Sequence, residues 1–294
     1  MDGGTPLRVV AMTAYLPSYR IIADWAERNG HEIVLIVTPP VGASSRYGAG
    51  GNPFVQTLPV ESSVLMTGKL RSVAAAVLAA IQPDLIISAA FPRLIPAEIL
   101  EIPKYGALNL HPSRLPKGRG PNPARLIYEG ATTVDATVHR TEKAFDTGAI
   151  LAQRQRPLPD DLTGPTLLTA WVEMLDECLE EAAAKAVAGE PGLTQNSSEA
   201  SEAPMFTDAE LVLDLSEPIA VVRRQVAALN LFGPRAQAVI NGAEVVIHSV
   251  HAELSPGANG APGTVLAENP DGWTIQTKDG VLRVVGDRRR TAAE

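Results

Sequence analysis

The constraint felt first is at the N-terminus. Residues 7–12 (Leu-Arg-Val-Val-Ala-Met) and 32–38 are short apolar runs, and the amphipathic segment between them ends near Gly30. That is a β-α-β opening, and neighbouring parallel strands need such a crossover. Residues 85–90 (Leu-Ile-Ile-Ser-Ala-Ala) are apolar throughout, as a strand covered on both faces must be. The expected fold is therefore α/β, a Rossmann-like parallel sheet with helices on its faces. The turn after the first run holds no Gly-x-Gly-x-x-Gly, so the phosphate cradle of a dinucleotide fold is missing and NAD is not expected.

Residues 106–120 (Gly-Ala-Leu-Asn-Leu-His-Pro-Ser-Arg-Leu-Pro-Lys-Gly-Arg-Gly) start as an apolar run and break into a loop that can continue neither strand nor helix. In an extended chain residues i and i+2 share a face, so Asn109 and His111 project together at the end of a strand. Open α/β sheets place ligands there. Downstream, Asp146-Thr147-Gly148 precedes another apolar run and forms a loop in which Asp146 has no apolar surroundings to enter.

Other elements follow from the same patterns. Residues 69–82 and 166–188 read as helices, the second with Thr163 as cap and Pro165 near its first turn. A brief helix over 123–129 and a strand over 134–140 lie between them. The segment 39–59, rich in Gly, Pro and Ser with Arg46 as its single cation, is either a lid or acceptor-contacting loop or a plain surface connection. Residues 190–206 have the low hydrophobicity of a linker. A helix over 217–230 and five short strands follow, with Asn241-Gly242 and Asp279-Gly280 as hairpin turns, so a small OB-like β-barrel is expected. The domain reading is 1–189 catalytic, 190–206 linker and 207–294 barrel.

The net charge of −8 argues against an extended basic nucleic-acid footprint. One cysteine, Cys178, excludes an internal disulfide and a thiolate metal cluster, and the five histidines have no metal-ligand spacing. No apolar run reaches the length of a membrane-spanning helix and no signal-peptide pattern is present, so a soluble, cytoplasmic protein without membrane contact is expected.

Asn109, His111 and Asp146 are the candidate catalytic set. An imidazole can carry a proton near neutrality, a carboxylate beside it fixes its tautomer, and a carboxamide donor can meet charge developing on a carbonyl oxygen. With no Gly-x-Ser-x-Gly elbow, the set suits acyl transfer without a covalent intermediate. Taken singly, each residue also reads as a turn cap or a hydrogen-bonded rim residue, and Lys117 and Arg119 among glycines would also suit an anion.

The order Asn-x-His-Pro-Ser-x-Leu-Pro-x-x-Arg-Gly over residues 109–120, followed by Asp146-Thr147-Gly148, closely resembles the signature of formyltransferases that use 10-formyltetrahydrofolate. The resemblance implies Asn109, His111 and Asp146 as catalytic residues. It implies a folate site around Ser113, Leu115 and Pro116. It further implicates Phe91, Leu94 and Ile95 after the preceding strand, and Thr141, Glu142, Lys143, Ala144 and Phe145 ahead of the Asp. Arg223 to Pro234, Ile240-Asn241-Gly242 and Pro262-Gly263-Thr264-Val265 resemble the C-terminal barrel of methionyl-tRNA formyltransferases.

The reading is thus an N-formyltransferase, with 10-formyltetrahydrofolate as donor co-substrate, no metal, and a primary amine as acceptor. Asn109 and His111 would stabilise the oxyanion while Asp146 orients the imidazole and the proton leaves through water or Asp146. Three departures bear on the acceptor. The loop after the second strand is not basic, Pro121-Asn122-Pro123 follows the motif, and the His139-Arg140 pair is similar to amino-sugar N-formyltransferases. The acceptor expected is a small amine such as an amino sugar. Alternatives are methionyl-tRNA, a formyltetrahydrofolate hydrolase, or a folate- or nucleic-acid-binding module without catalysis.

Overall fold

Arg8 is the one exposed residue of the first strand, β1 (Arg8–Thr13), and Leu85–Ala89 is buried end to end. Apolar strands of this kind stay in place because each fully buried aliphatic side chain contributes about 1.5–3 kcal/mol. The computed structural model describes residues 5–40, 53–253 and 260–289. These fall into two units, one within 1–121, 135–155 and 171–202 and the other within 122–134, 156–170 and 203–294.

In the first unit the chain runs β1, α1 (Leu16–Arg28), β2 (Glu32–Thr38), the single turn α2 (Pro53–Gln56), β3 (Val64–Met66), α3 (Ala75–Ile81), β4 (Leu85–Ala89), the short α4 (Ala97–Leu100) and β5 (Ala107–His111). The helix expected over 69–82 begins as a π turn at Leu70–Ala74 and ends at Gln82, whose φ is 50°. The short helix α5 (Arg125–Glu129), counted with the second unit, leads into β6 (Thr133–Arg140), and β7 (Ile150–Pro157) follows. The sheet order is β3-β2-β1-β4-β5-β6-β7. Pairing is parallel from β3 through β5, but β6 runs antiparallel to β5.

The sheet is therefore mixed rather than parallel throughout. The physical reason lies in the link from β5 to β6. Its helix has five residues, rising about 7 Å, too little to carry the chain back across the sheet, so β6 starts from the end where β5 stops. One consequence is a register that sets Asn109 opposite His139 and His111 opposite Thr137.

Side chains two apart share a face, and Val10, Met12, Leu35, Val37 and Ile86 join Leu70, Leu78 and Ile99 in one core layer. On α6 (Gly164–Val187), Trp171 Nε1 donates to Asp135 O at 3.0 Å, and Arg28 on α1 pairs with Asp176 at 2.8 Å. Cys178 is buried on the same helix, and burial pushes its thiol up to about 12. Thr163 caps α6 as expected, accepting from the Thr166 amide at 3.2 Å.

The second unit holds α7 (Ile219–Leu229) against a five-stranded antiparallel sheet of order β10-β11-β12-β9-β8, made of β8 (Gln237–Ile240), β9 (Ala243–Glu253), β10 (Val265–Asn269), β11 (Gly272–Gln276) and β12 (Val281–Arg288). Val222, Val226 and Leu229 of α7 pack with Ile247, Trp273, Leu282 and Val284. Asn241 and Gly242 both take positive φ, 50° and 77°, as a two-residue hairpin turn requires. Asp279 acts differently, through its side chain, which accepts from the Ile219 amide at 2.8 Å. Among the described residues β8 and β10 are the edges of this sheet and do not pair, so the described strands form an antiparallel half-barrel, and the OB-like closure expected is not seen among them.

The stretch read as a linker is hydrogen bonded to the first unit as far as residue 202. Leu193 exchanges two backbone bonds of 2.8 Å with Ile150, and Gln195 is buried. Of the expected lid loop, residues 41–52 with Arg46 lie outside the described residues. Among the described residues no helix is long and apolar enough to cross a membrane, and no group of three or more His, Cys, Asp or Glu is placed to hold a metal.

Candidate active site

The end of β5 delivers Asn109 and His111 to one place, as the period of a strand demands. Asp146 meets them from the loop between β6 and β7, held at φ 57°, a left-handed conformation in which an Asp is more readily tolerated than most side chains. Gly148 makes this loop close. A Cβ there would stand 1.8 Å from Arg140 O.

Asp146 presents its two oxygens to different surroundings. Oδ2 accepts from the Gly120 amide at 2.9 Å. Oδ1 stands among three nitrogens: Asn109 Nδ2 at 3.4 Å, His111 Nδ1 at 3.5 Å and His139 Nε2 at 3.6 Å. The far side of each imidazole fixes its tautomer, because a carbonyl oxygen only accepts. His111 Nε2 donates to Gly118 O at 2.8 Å, and His139 Nδ1 donates to Arg140 O at 2.7 Å. In its neutral form each ring therefore turns a bare nitrogen toward Asp146. His139 Nε2 accepts from Asn109 Nδ2 at 3.1 Å, and Ser88 Oγ donates to Asn109 Oδ1 at 2.7 Å. The carboxamide is thereby oriented with its NH2 group facing the cluster.

His111, His139 and Asp146 are all buried. Burial draws the His111 imidazole below its ordinary value, against the pull of the Asp146 charge. For Asp146, burial opposes ionisation, but the positive charge of His111 once it is protonated, the contact with the His139 ring and the Gly120 amide outweigh it and hold the carboxyl at about 2. The resting cluster is thus an ionised carboxylate beside a neutral His111. It has room for one proton, and an imidazole that takes it gains an ion pair with Asp146.

The residues implicated in folate binding divide into two groups. Leu94, Ile95, Lys143 and Phe145 line a cleft of about 890 Å³, together with Lys69, Arg71 and Arg93. Leu94 and Phe145 are exposed apolar side chains at its surface. This volume suits a drug-sized organic ligand, the apolar side chains suit a fused ring, and the cations suit carboxylates, so the residues present fit a folate. Phe145, on the lining of the cleft, directly precedes Asp146 in the chain, while Asn109, His111, His139 and Asp146 themselves do not line it.

The second group does not line this cleft. Ser113 and Leu115 are buried in the loop after β5. Ser113 Oγ donates to Lys117 O at 2.7 Å, and Leu115 N and O bond Thr137 Oγ1 and Gln153 Nε2. Pro116 O accepts from the Ser201 amide at 3.3 Å. Phe91 is half-buried against the core layer, and the Thr141 amide continues the sheet bonding to Ala107 O at 2.8 Å. Glu142 and Ala144 are exposed beside the cleft residues Lys143 and Phe145.

Ser88, the Gly120 amide and Gln195 join the site although no sequence pattern singles them out, and His139 stands out in sequence only through its pairing with Arg140. The apolar context of Ser88, in a strand buried on both faces, was the available signal for it. His139 becomes legible only once β6 is known to run antiparallel to β5.

Against known proteins, the model of the family described as formyl transferase matches residues 9–181, and that of the formyl transferase C-terminal domain matches residues 206–290. The methionyl-tRNA formyltransferase of Roseiflexus sp. (strain RS-1) is 32% identical over 297 residues, covering 95% of this chain and 87% of that protein. That of Ralstonia nicotianae is 33% identical, covering 96% and 87%. In structure, HypX from Aquifex aeolicus in complex with tetrahydrofolic acid superposes with a TM-score of 0.69 at 22% identity over 97% of this chain, which spans only 45% of HypX. A sugar N-formyltransferase from Shewanella sp. FDAARGOS_354 gives a TM-score of 0.63 at 17% identity, covering 85% of this chain and 99% of that one. With both family models matched in order along its length, the chain belongs to the formyl transferase family and is a formyltransferase.

Proposed function

We propose that this formyltransferase moves a formyl group from 10-formyltetrahydrofolate to the α-amine of methionyl-tRNA. The observation that carries the acceptor is the match to methionyl-tRNA formyltransferases across 95% of the chain, through both units. It outweighs the small amine expected from charge and from the His139-Arg140 pair. The cleft beside Phe145 receives the donor, its apolar side chains against the ring system and its Lys and Arg rim toward the carboxylates.

Chemistry follows from the cluster. The unprotonated amine attacks the formyl carbon, and the Asn109 NH2 group faces the charge that develops on oxygen. As the C–N bond to the amine forms, the nitrogen becomes acidic and its proton passes to the neutral His111 imidazole, where Asp146 compensates the charge. Asp146 itself, at about 2, stays ionised. Collapse breaks the bond from the formyl carbon to the donor nitrogen, which takes the proton back from the imidazole.

A small amine is the second reading, favoured by the ion pairs of the C-terminal unit. Arg288 and Arg289 already pair with Glu268 and Glu244, and Lys278 pairs with Glu217. Exposed pairs of this kind are worth about 0–1 kcal/mol, so phosphates can displace them. The test is an assay with the folate donor and, side by side, Met-tRNA and a panel of amino sugars. Efficient Met-tRNA formylation that weakens steeply with salt upholds the proposal. Silence toward Met-tRNA with turnover of an amino sugar would replace it by the second reading.

A further inference from the structure

Residues 193–201 lie outside the catalytic motif, and composition alone marks them as linker. We infer that this stretch is a positioning strap for the active site, acting through Gln195 on Asp146 and through Ser201 on His111. The inference rests on the catalytic roles proposed above.

Gln195 is buried, and its carboxamide is fully used. Nε2 donates to both Asp146 O and Gly148 O at 2.8 Å, and Oε1 accepts from Arg119 Nη2 at 2.7 Å. One side chain thus clasps the carbonyls on either side of Thr147, in a loop whose Asp sits in the left-handed region. It ties that loop to Arg119, the neighbour of the residue whose amide holds Asp146 Oδ2. Nothing else among the described hydrogen bonds joins these two loops except that Gly120 contact. Asp146 Oδ1 stands 3.4–3.6 Å from three nitrogens, so a small rotation of the loop would convert this spacing into one close contact and two lost ones.

The other tie comes six residues later. Ser201 Oγ accepts from the Gly118 amide at 3.0 Å, and Ser201 O accepts from the Arg119 amide at 2.9 Å. Gly118 is the residue whose carbonyl takes the His111 Nε2 hydrogen. The strap therefore steadies the rear support of the imidazole at one end and the backbone of the carboxylate at the other. It is itself pinned at Leu193 by the paired bonds to Ile150. Polar side chains do this work, so the stretch lacks the apolar pattern that sequence reading uses to find packed segments.

The test compares full-length Gln195→Met, which keeps shape but removes both ends of the clasp, and Ser201→Ala, on an exposed residue. Two quantities are read: steady-state kinetics with the folate donor, and the titration midpoint of His111 by NMR on histidine-labelled protein. The expected result for Gln195→Met is kcat lower by about 10- to 100-fold, as supporting-shell and sub-ångström placement effects give, with KM for the donor within about twofold. The His111 midpoint moves down, because withdrawal of the Asp146 charge leaves burial less opposed. Ser201→Ala shifts both quantities the same way by less. A merely structural role would lower the melting temperature and leave the midpoint of the folded protein in place. Wild-type kcat with an unmoved midpoint in folded Gln195→Met would overturn the inference. Should that variant not fold, the same result in Ser201→Ala would do so. Failure of the unaltered chain to transfer formyl groups would count against the proposed function instead, and the His111 midpoint would still decide the strap.

Discussion

Ser88 Oγ donates to Asn109 Oδ1 at 2.7 Å across the β4–β5 pair, and this bond holds the oxygen end of the Asn109 carboxamide away from the cluster. Ser88→Ala frees the amide to turn. Turnover should fall by about 10-fold or more with donor KM unchanged, since an oxyanion donor removed outright costs about 100-fold or more. Stability should drop by about 1 kcal/mol for the lost bond. Steady-state kinetics and a denaturant melt check both. Unaltered kcat would mean that the carboxamide holds its orientation through His139 and Asp146 without Ser88.

Asp146→Asn keeps size and removes charge. An amide can still accept from Gly120 while its NH2 group meets the bare nitrogens of His111 and His139, so the variant should fold. Without the carboxylate an imidazolium has no counter-charge, and kcat should fall by about 100-fold or more. A circular dichroism melt matching wild type, alongside that loss, is the expected pair of observations. A fully active Asp146→Asn would remove the charge from the mechanism.

Acid should destabilise the protein in two steps. His111 is drawn below its ordinary 6.5 in the fold, so its contribution is present above 6.5 and is lost as pH falls past that value, where the unfolded chain binds the proton more readily. Asp146 is held at about 2 against an ordinary 3.8. Its contribution, about 2 kcal/mol by linkage, is present above 3.8 and lost as pH falls from there toward 2. Urea melts across pH 7.5 to 2.5 should show both declines in wild type. In Asp146→Asn the lower decline should shrink by about that amount, leaving what other carboxylates held below their ordinary values, such as Glu181, Glu210 and Asp214, contribute, and a lower decline of undiminished size there would refute the assignment to Asp146.

Gly148→Ala should be among the most disruptive single changes in the catalytic unit. Its Cβ would meet the Arg140 carbonyl at 1.8 Å, backbone against backbone, so the Asp146 loop must move. Overpacking costs about 1–3 kcal/mol and more where the backbone cannot yield. We expect loss of soluble folded protein, or a melting point many degrees lower with activity abolished. A stable, active variant would show that the loop has a second arrangement.

The residues that the sequence reveals and those it hides differ in how they are held. Asn109 and His111 share a face because a strand has period two, and Asp146 joins them because a Thr-Gly loop precedes β7. These are local patterns, and local patterns are legible. His139 enters through a cross-strand register, and that register depended on a reversal of β6 that apolar alternation cannot signal. Gln195 and Ser201 are further from any pattern, since hydrogen bonds from polar side chains leave no periodicity. The half-barrel was expected to close because five strands with hairpin turns suggest closure, yet edge pairing is decided by packing and not by turns. Ser113 and Leu115 belong to the family signature but serve the loop's own bonding, a distinction that only their partners reveal.

The tie at Gln195 also has a bearing on the order in which the protein is made. Strands β1 to β7 are complete once residue 157 has left the ribosome, whereas the stretch that clasps Asp146 and Gly118 is translated some forty residues later. A nascent chain would then own a sheet well before it owns a working centre, and catalysis would switch on late in synthesis.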